Sequence, residues 1–208
     1  GEIVSADSRQ VYKGMDIGTG KVAKKEMQGI PHYLLDVASL KRIFTVVQYR
    51  KLAFRAINKI FKKGKLPILC GGTGFYIQAV VDGLVIPEVP PDWKLRKNLG
   101  KKTVGELYKI LKKLDQRRAK IIEKNNPRRL IRAIEIVIKT KKPTPVLKKN
   151  PLPYPVLMLG IKKPEKELKR LIKKRFQKWL RLGLIKETEK LKKSGISWKR
   201  IEGFGLHY

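Results

Sequence analysis

The sequence predicts an α/β fold, a parallel-sheet core carrying an α-helical insertion, and three observations predict it. Short apolar runs alternate with segments of helical periodicity through the first ninety residues. A Gly-rich turn, Gly71-Gly72-Thr73-Gly74, joins one such run directly to a helical pattern. After Pro87, Pro90 and Pro91 the pattern turns purely helical, until an apolar run near residue 156 restores the strand signal.

Glu2–Ser5 reads as a short buried strand, followed by a polar loop over Ala6–Gly14. Pro31–Val37 is a second candidate strand. Val46, Tyr49, Leu52, Ala53, Ala56, Ile57, Ile60 and Phe61 recur at helical spacing, and Lys62-Lys63-Gly64 supplies basic residues and a glycine stop. Leu66–Cys70 is a strand that runs into the Gly-rich turn, and Phe75–Val81 is the helix beyond it. Thr103–Leu114 is an amphipathic helix with Val104, Leu107, Tyr108, Ile110, Leu111 and Leu114 on its apolar side. Gln116–Glu123 forms another, and a third runs from Pro127, at its first turn, to about Lys139. A Pro-containing linker, Lys142–Pro155, precedes Val156–Ile161, expected as one more buried strand. A long basic helix then runs from Pro164 to about Lys193, interrupted at Gly183. No repeat of 20–50 residues is present.

The charge is unevenly placed. Lys and Arg number 50 against 17 Asp and Glu, a net +33, of which residues 1–92 hold +6 and residues 93–208 hold +27. That asymmetry points to a polyanion, because each Lys or Arg that neutralises a phosphate releases a counterion. A lysine-rich composition accounts for part of the total and explains the asymmetry less well. With 42% hydrophobic residues the chain can bury a core, so the charge belongs to a folded protein. One cysteine, Cys70, excludes an internal disulfide framework and a cysteine zinc site. No apolar run reaches the roughly 18–20 residues that span a bilayer, and Gly1–Asp7 does not read as a signal peptide. The expectation is a soluble, cytoplasmic protein without a membrane partner.

Two loops leave the carboxyl ends of apolar strands, the edge where open α/β sheets bind ligands. In the first, Ala6-Asp7-Ser8-Arg9-Gln10, Asp7 is either a general base or a cap for the next turn. In the second, the Gly-rich turn either lets a backbone approach a ligand or simply closes a tight strand–helix corner. Gly18-Thr19-Gly20-Lys21 resembles the end of a phosphate-binding loop but fails the G-x-x-x-x-G-K-[ST] pattern at Met15 and Val22. Arg128, Arg129 and Arg132 cluster at a helix start, suited to phosphate contacts or to a solvated face with Arg132 paired to Glu135. His32 and His207 lack partners at metal-site spacing, and Trp93, Trp179 and Trp198 are expected as core or hinge aromatics.

Five segments then occur in the order seen in tRNA dimethylallyltransferases. They are Ser5–Tyr12 (SADSRQVY), Ile17–Lys21 (IGTGK), Gly29–His32 (GIPH), Gly71–Tyr76 (GGTGFY) and Asn126–Glu135 (NPRRLIRAIE). The chain resembles this family over essentially its whole length. The resemblance implies a P-loop-kinase-like core, with a catalytic α/β part at 1–90, a helical insertion for tRNA binding at 91–150, and a continuation of the core at 151–208. It implies transfer of a dimethylallyl group from dimethylallyl diphosphate to N6 of the adenosine 3′ of the anticodon, the base being taken out of its stack. Asp7 matches the family's general base; Ser8, Arg9 and Gln10 continue the loop that reads the target nucleotide. Thr73, Arg96 and Arg128, Arg129 and Arg132 match tRNA-contacting positions. Arg175 or Arg170 would bind the diphosphate, since Leu171 occupies the family's first arginine position. Mg²⁺ would be held mainly by phosphate oxygens and water, with no protein metal site. The partners are the tRNA anticodon stem-loop and dimethylallyl diphosphate, and the expected state is a monomer.

The family opens with a strand and a G-P-T-x-S-G-K-[ST] loop well before its Asp-Ser-x-Gln motif, which begins here at Asp7. The resemblance therefore implies a chain lacking its N-terminal strand and P-loop, inactive or severely impaired as these 208 residues alone. Gly203–Tyr208 resembles a variant of the family's C-terminal glycine–aromatic motif. Two other functions compete: an adenylate isopentenyltransferase acting on free nucleotide, against which the basic half argues, and a non-catalytic basic RNA-binding protein.

Overall fold

The computed structural model describes residues 1–146 and 148–205. They fall into two units, one of Gly1–Leu84 with Asn150–Tyr208 and the other of Val85–Lys149. Leu206, His207 and Tyr208, which carry the end of the C-terminal motif and one of the two histidines, lie outside the described residues.

The first unit is built on a parallel sheet of β1 (Glu2–Ser5), β2 (His32–Tyr33) and β3 (Pro67–Cys70), in the order β2-β1-β3. Ile3 pairs with His32 on one side and with Ile68 on the other. β2 is shorter than its apolar run because Leu34 and Asp36 adopt φ of 65° and 56°, a left-handed backbone that leaves the pleat. α1 (Val46–Phe61) crosses from β2 to β3, opened by a capping box in which Thr45 and Gln48 satisfy each other's amides. Its buried face, Tyr49, Ala53, Ala56, Ile57 and Ile60, packs on β1, β3 and α2 (Gly74–Val81). Tyr49 stacks on Tyr76 of α2 at 3.9 Å between ring centroids, and its hydroxyl donates to the Ser5 carbonyl at 3.0 Å.

The second unit is helical: α3 (Trp93–Leu99), α4 (Val104–Leu114), α5 (Gln116–Ile121) and α6 (Pro127–Thr140). Leu107 and Leu111 of α4 meet Leu130, Ala133 and Ile134 of α6 in its core. The first unit resumes with α7 (Glu165–Leu182), α8 (Leu184–Lys193) and α9 (Trp198–Glu202). Gly183, at φ 99°, divides α7 from α8 where the sequence places an interruption.

Two expectations are corrected. Val156–Ile161 forms no strand, and Leu157, Leu159 and Ile161 are 83%, 82% and 94% exposed. A strand needs a neighbouring ladder for its amides and carbonyls, and none of β1–β3 pairs with this run. Trp93 and Trp198 lie outside the core at 58% and 52% exposure, under the cationic heads of Arg96 and Lys192; Trp179 alone is buried. His32 is structural as expected, with Nδ1 2.8 Å from the Ile30 carbonyl.

β1 begins with a fully buried carboxylate. Glu2 accepts from the Tyr33 hydroxyl at 2.7 Å and from Lys63 and Lys65 at 3.0 Å each. The Tyr33 hydrogen bond, then that of Lys65, lowers its pKa from the ordinary 4.5 to about 2. A carboxyl depressed on folding stabilises fully above its unfolded value and loses that contribution as pH falls through the folded one. Unfolding midpoints in urea should therefore fall between pH 4.5 and pH 2, and Glu2→Gln should flatten that limb. An unchanged slope in Glu2→Gln removes Glu2 as its source.

Candidate functional site

The Asp7 loop and the Gly-rich turn meet where β1 and β3 end. The Ala6 amide donates to the Cys70 carbonyl at 2.8 Å, and the Thr73 amide donates back to the Ala6 carbonyl at 3.1 Å. Gly71 makes this approach possible, since a Cβ there would stand 2.4 Å from the Ala6 carbonyl carbon and oxygen. Thr73 occupies the N-cap of α2 yet makes no side-chain cap bond. Its hydroxyl turns to the other loop instead, accepting from the Ser8 amide at 2.9 Å and donating to Ser8 Oγ at 3.2 Å.

Asp7 caps the next turn, one of the two readings its sequence position allows. Oδ1 caps the following turn, accepting from the amides of Arg9 at 2.7 Å and Gln10 at 3.1 Å. Oδ2 has no hydrogen-bond partner among the described residues, and the side chain is half-buried. The loop thus fixes the carboxylate through one oxygen. Beside it, burial raises the Tyr76 phenol well above its ordinary pKa, with further repulsion from Tyr12 and Asp7, so it stays protonated.

Gln10 extends from this loop to the next, donating through Nε2 to the carbonyls of Thr19 at 3.1 Å and Gly20 at 3.3 Å. The loop it holds is the one resembling the end of a phosphate-binding loop, and its side chains are committed elsewhere. Lys21 binds Asp16 and Asp36 at 2.6 Å each and the Tyr12 carbonyl at 2.8 Å, its side chain only 5% exposed. The amides of Asp16, Ile17 and Gly18 converge on the Glu187 carboxylate of α8 at 2.9, 2.8 and 3.0 Å. Trp179 of α7 packs against Gly20, where a Cβ would meet its ring at 3.1 Å. The Arg175 guanidinium lies over that ring at 4.9 Å and lines a shallow basic groove with Lys174, Lys178 and Arg181. Arg170 is exposed and lies outside the groove lining.

The helical unit holds the other candidate arginines around a second fully buried carboxylate. Glu135 accepts from Arg96 Nε at 2.8 Å and Nη2 at 2.7 Å, from Arg132 Nη1, and from the Asp92 amide at 2.7 Å. Burial alone would raise its pKa; the Arg96 hydrogen bonds, the Asp92 amide and Arg132 outweigh burial and hold it at about 2. Arg132 also donates from Nη2 to the Val89 carbonyl at 2.9 Å. Arg129 pairs with Glu123 at 2.8 Å, whereas Arg128 is exposed with no ion pair or hydrogen bond among the described residues. The pairing of Arg132 with Glu135 is therefore real, and it is a buried node joined by Arg96. Sequence reasoning found every arginine here and missed Glu135 as their centre and Glu187 as the loop's anchor.

No group of three His, Cys, Asp or Glu side chains that could hold a metal occurs among the described residues. No helix among them is long and apolar enough to cross a membrane.

Residues 10–206 match the family model for IPP transferase. The tRNA dimethylallyltransferase of Acetivibrio thermocellus is 41% identical over 216 residues, covering all of this chain and 69% of that protein. The crystal structure of the tRNA isopentenylpyrophosphate transferase of Staphylococcus epidermidis superposes with a TM-score of 0.64 at 34% identity, covering all of this chain and 70% of that one. A eukaryotic dimethylallyltransferase acting on tRNA gives a TM-score of 0.68 at 27% identity, over 93% of this chain and 50% of that one.

Proposed function

This chain belongs to the IPP transferase family, and from that premise we propose that it is a tRNA dimethylallyltransferase. The reaction moves a dimethylallyl group from dimethylallyl diphosphate to N6 of the adenosine 3′ of the anticodon. N6 attacks the allylic C1, the bond from C1 to the diphosphate oxygen breaks, and diphosphate departs. Asp7 takes the N6 proton. The observation that carries this assignment is the division of labour in its carboxylate, with Oδ1 anchored by two amides and Oδ2 without a partner among the described residues. Ser8, Thr73 and Gln10 supply the polar wall beside it.

Arg175 is the better of the two diphosphate candidates, because its stacking on Trp179 ties it to Gly20 and through Gly20 to Gln10. In the helical unit Arg128, exposed and uncommitted, is the strongest phosphate contact. Mg²⁺ would be carried mainly on the diphosphate oxygens of the substrate and by water. The proposal places a monomeric protein in the cytoplasm beside its tRNA.

The test incubates the protein with labelled dimethylallyl diphosphate and either tRNA or AMP. Label should appear in tRNA at the adenosine after the anticodon. Label in AMP alone would move the assignment to a free-nucleotide transferase, and binding of tRNA without any transfer would leave only an RNA-binding protein.

A further inference from the structure

We propose that Glu187 is a positioning residue that sets the Asp7 loop by way of the 16–18 turn, whose Ile17 lies 170 residues before it, a role that rests on the tRNA-modifying function proposed above. One carboxylate receives three successive amides, Asp16 and Ile17 on Oε2 and Gly18 on Oε1. Charge-assisted bonds of this kind are about twice as strong as neutral ones, and three of them fix the direction of a whole turn. The anchor itself is rigid. Leu184 and Leu191 of α8 are buried on either side of Glu187, and the Glu187 amide donates to the Gly183 carbonyl at 2.9 Å.

The far side of the turn does what a positioning element requires. Immediately after the three anchored amides, the carbonyls of Thr19 and Gly20 hold Gln10 Nε2, and the Gln10 amide in turn holds Asp7 Oδ1. Glu187 is thus joined to the candidate base by an unbroken series of hydrogen bonds through backbone and one amide side chain. Trp179 against Gly20 closes the same turn from α7. The Glu187 carboxylate acts on this series through backbone amides, so its effect is on geometry.

The experiment separates this role from charge. Removing an acidic group from a basic protein should raise tRNA affinity or leave it unchanged, because repulsion of phosphate is relieved. Glu189→Ala, at an exposed position two residues away on α8, should show that behaviour. Glu187→Ala should do the opposite and weaken tRNA binding about three- to tenfold. Gln10→Ala should weaken it similarly, and the double variant no further than the worse single one. In parallel, amide exchange at residues 16–18 should quicken by about tenfold or more in Glu187→Ala, with Glu187→Gln, which keeps one acceptor oxygen, in between.

Unchanged exchange at 16–18 overturns the anchor. Faster exchange with tRNA affinity equal to that of Glu189→Ala overturns the positioning role while leaving the anchor. Additive losses in the double variant remove Gln10 as the intermediary. A parent protein that binds no tRNA overturns the function on which the proposal rests, and the exchange measurement still decides the anchor. Where the alanine variant does not fold, the glutamine variant carries both readouts.

Discussion

Asp7→Asn lowers prenyl transfer to tRNA by about 10²–10⁴-fold, the usual contribution of a positioned general base, while tRNA affinity stays within a few-fold of the parent. Asparagine is the informative substitution because it separates the proposed proton transfer from the cap. Its amide oxygen can still accept from the Arg9 and Gln10 amides, so the turn survives. Its nitrogen cannot take a proton from N6. Asp7→Ala loses both tasks, and the missing cap costs a further ~0.5–2 kcal/mol of stability. Turnover should therefore be equally poor in the two variants and the melting midpoint lower only in the alanine one. Steady-state turnover with tRNA and thermal unfolding check the pair. An asparagine variant that turns over close to the parent would remove Asp7 from proton transfer and leave it a cap.

The elements that sequence reasoning located best are those whose signals are local. Lys62-Lys63-Gly64 marks the end of α1 and Pro127 opens α6, each within a few residues of the feature it marks. Asp7, Thr73 and the arginines were legible for the same reason, since each sits inside a short contiguous motif. What could not be read is pairing across long separations. Val156–Ile161 has the composition of a buried strand, but composition does not supply a ladder partner, and the run lies exposed. The Gly18-Thr19-Gly20-Lys21 segment is similar: its pattern suggests phosphate, while Asp36 and Glu187 have already taken its lysine and the Gly18 amide. Glu135 reads as a surface partner of Arg132 three residues back. That Arg96 and the Asp92 amide, 39 and 43 residues away, share the same carboxylate is a fact of tertiary structure.

Glu135→Ala should destabilise the helical unit by about 3–5 kcal/mol, the cost of breaking a buried ion pair by removing one partner. The magnitude comes from what is left behind rather than from the attraction lost. Arg96 and Arg132 would stay two-thirds buried without their anion, and the Asp92 amide at the start of α3 would lose its acceptor. Glu135→Gln keeps an acceptor but not the charge and should fall between. Replacing Glu135, Arg96 and Arg132 together by apolar residues of similar size should recover much of the loss, because no unpaired charge then remains. Urea unfolding followed by circular dichroism measures all three. A Glu135→Ala midpoint near the parent's would mean that the two guanidiniums reach water unaided. The same measurement divides the arginines by role. Arg128→Ala, exposed and uncommitted, should leave stability within ~0.5 kcal/mol yet weaken tRNA binding and reduce its salt dependence by about one phosphate contact. Arg132→Ala should register first as lost stability, because its guanidinium is already shared between Glu135 and the Val89 carbonyl. An Arg132 that cost only tRNA affinity would place its charge with the RNA and reduce Glu135 to a partner of Arg96 alone.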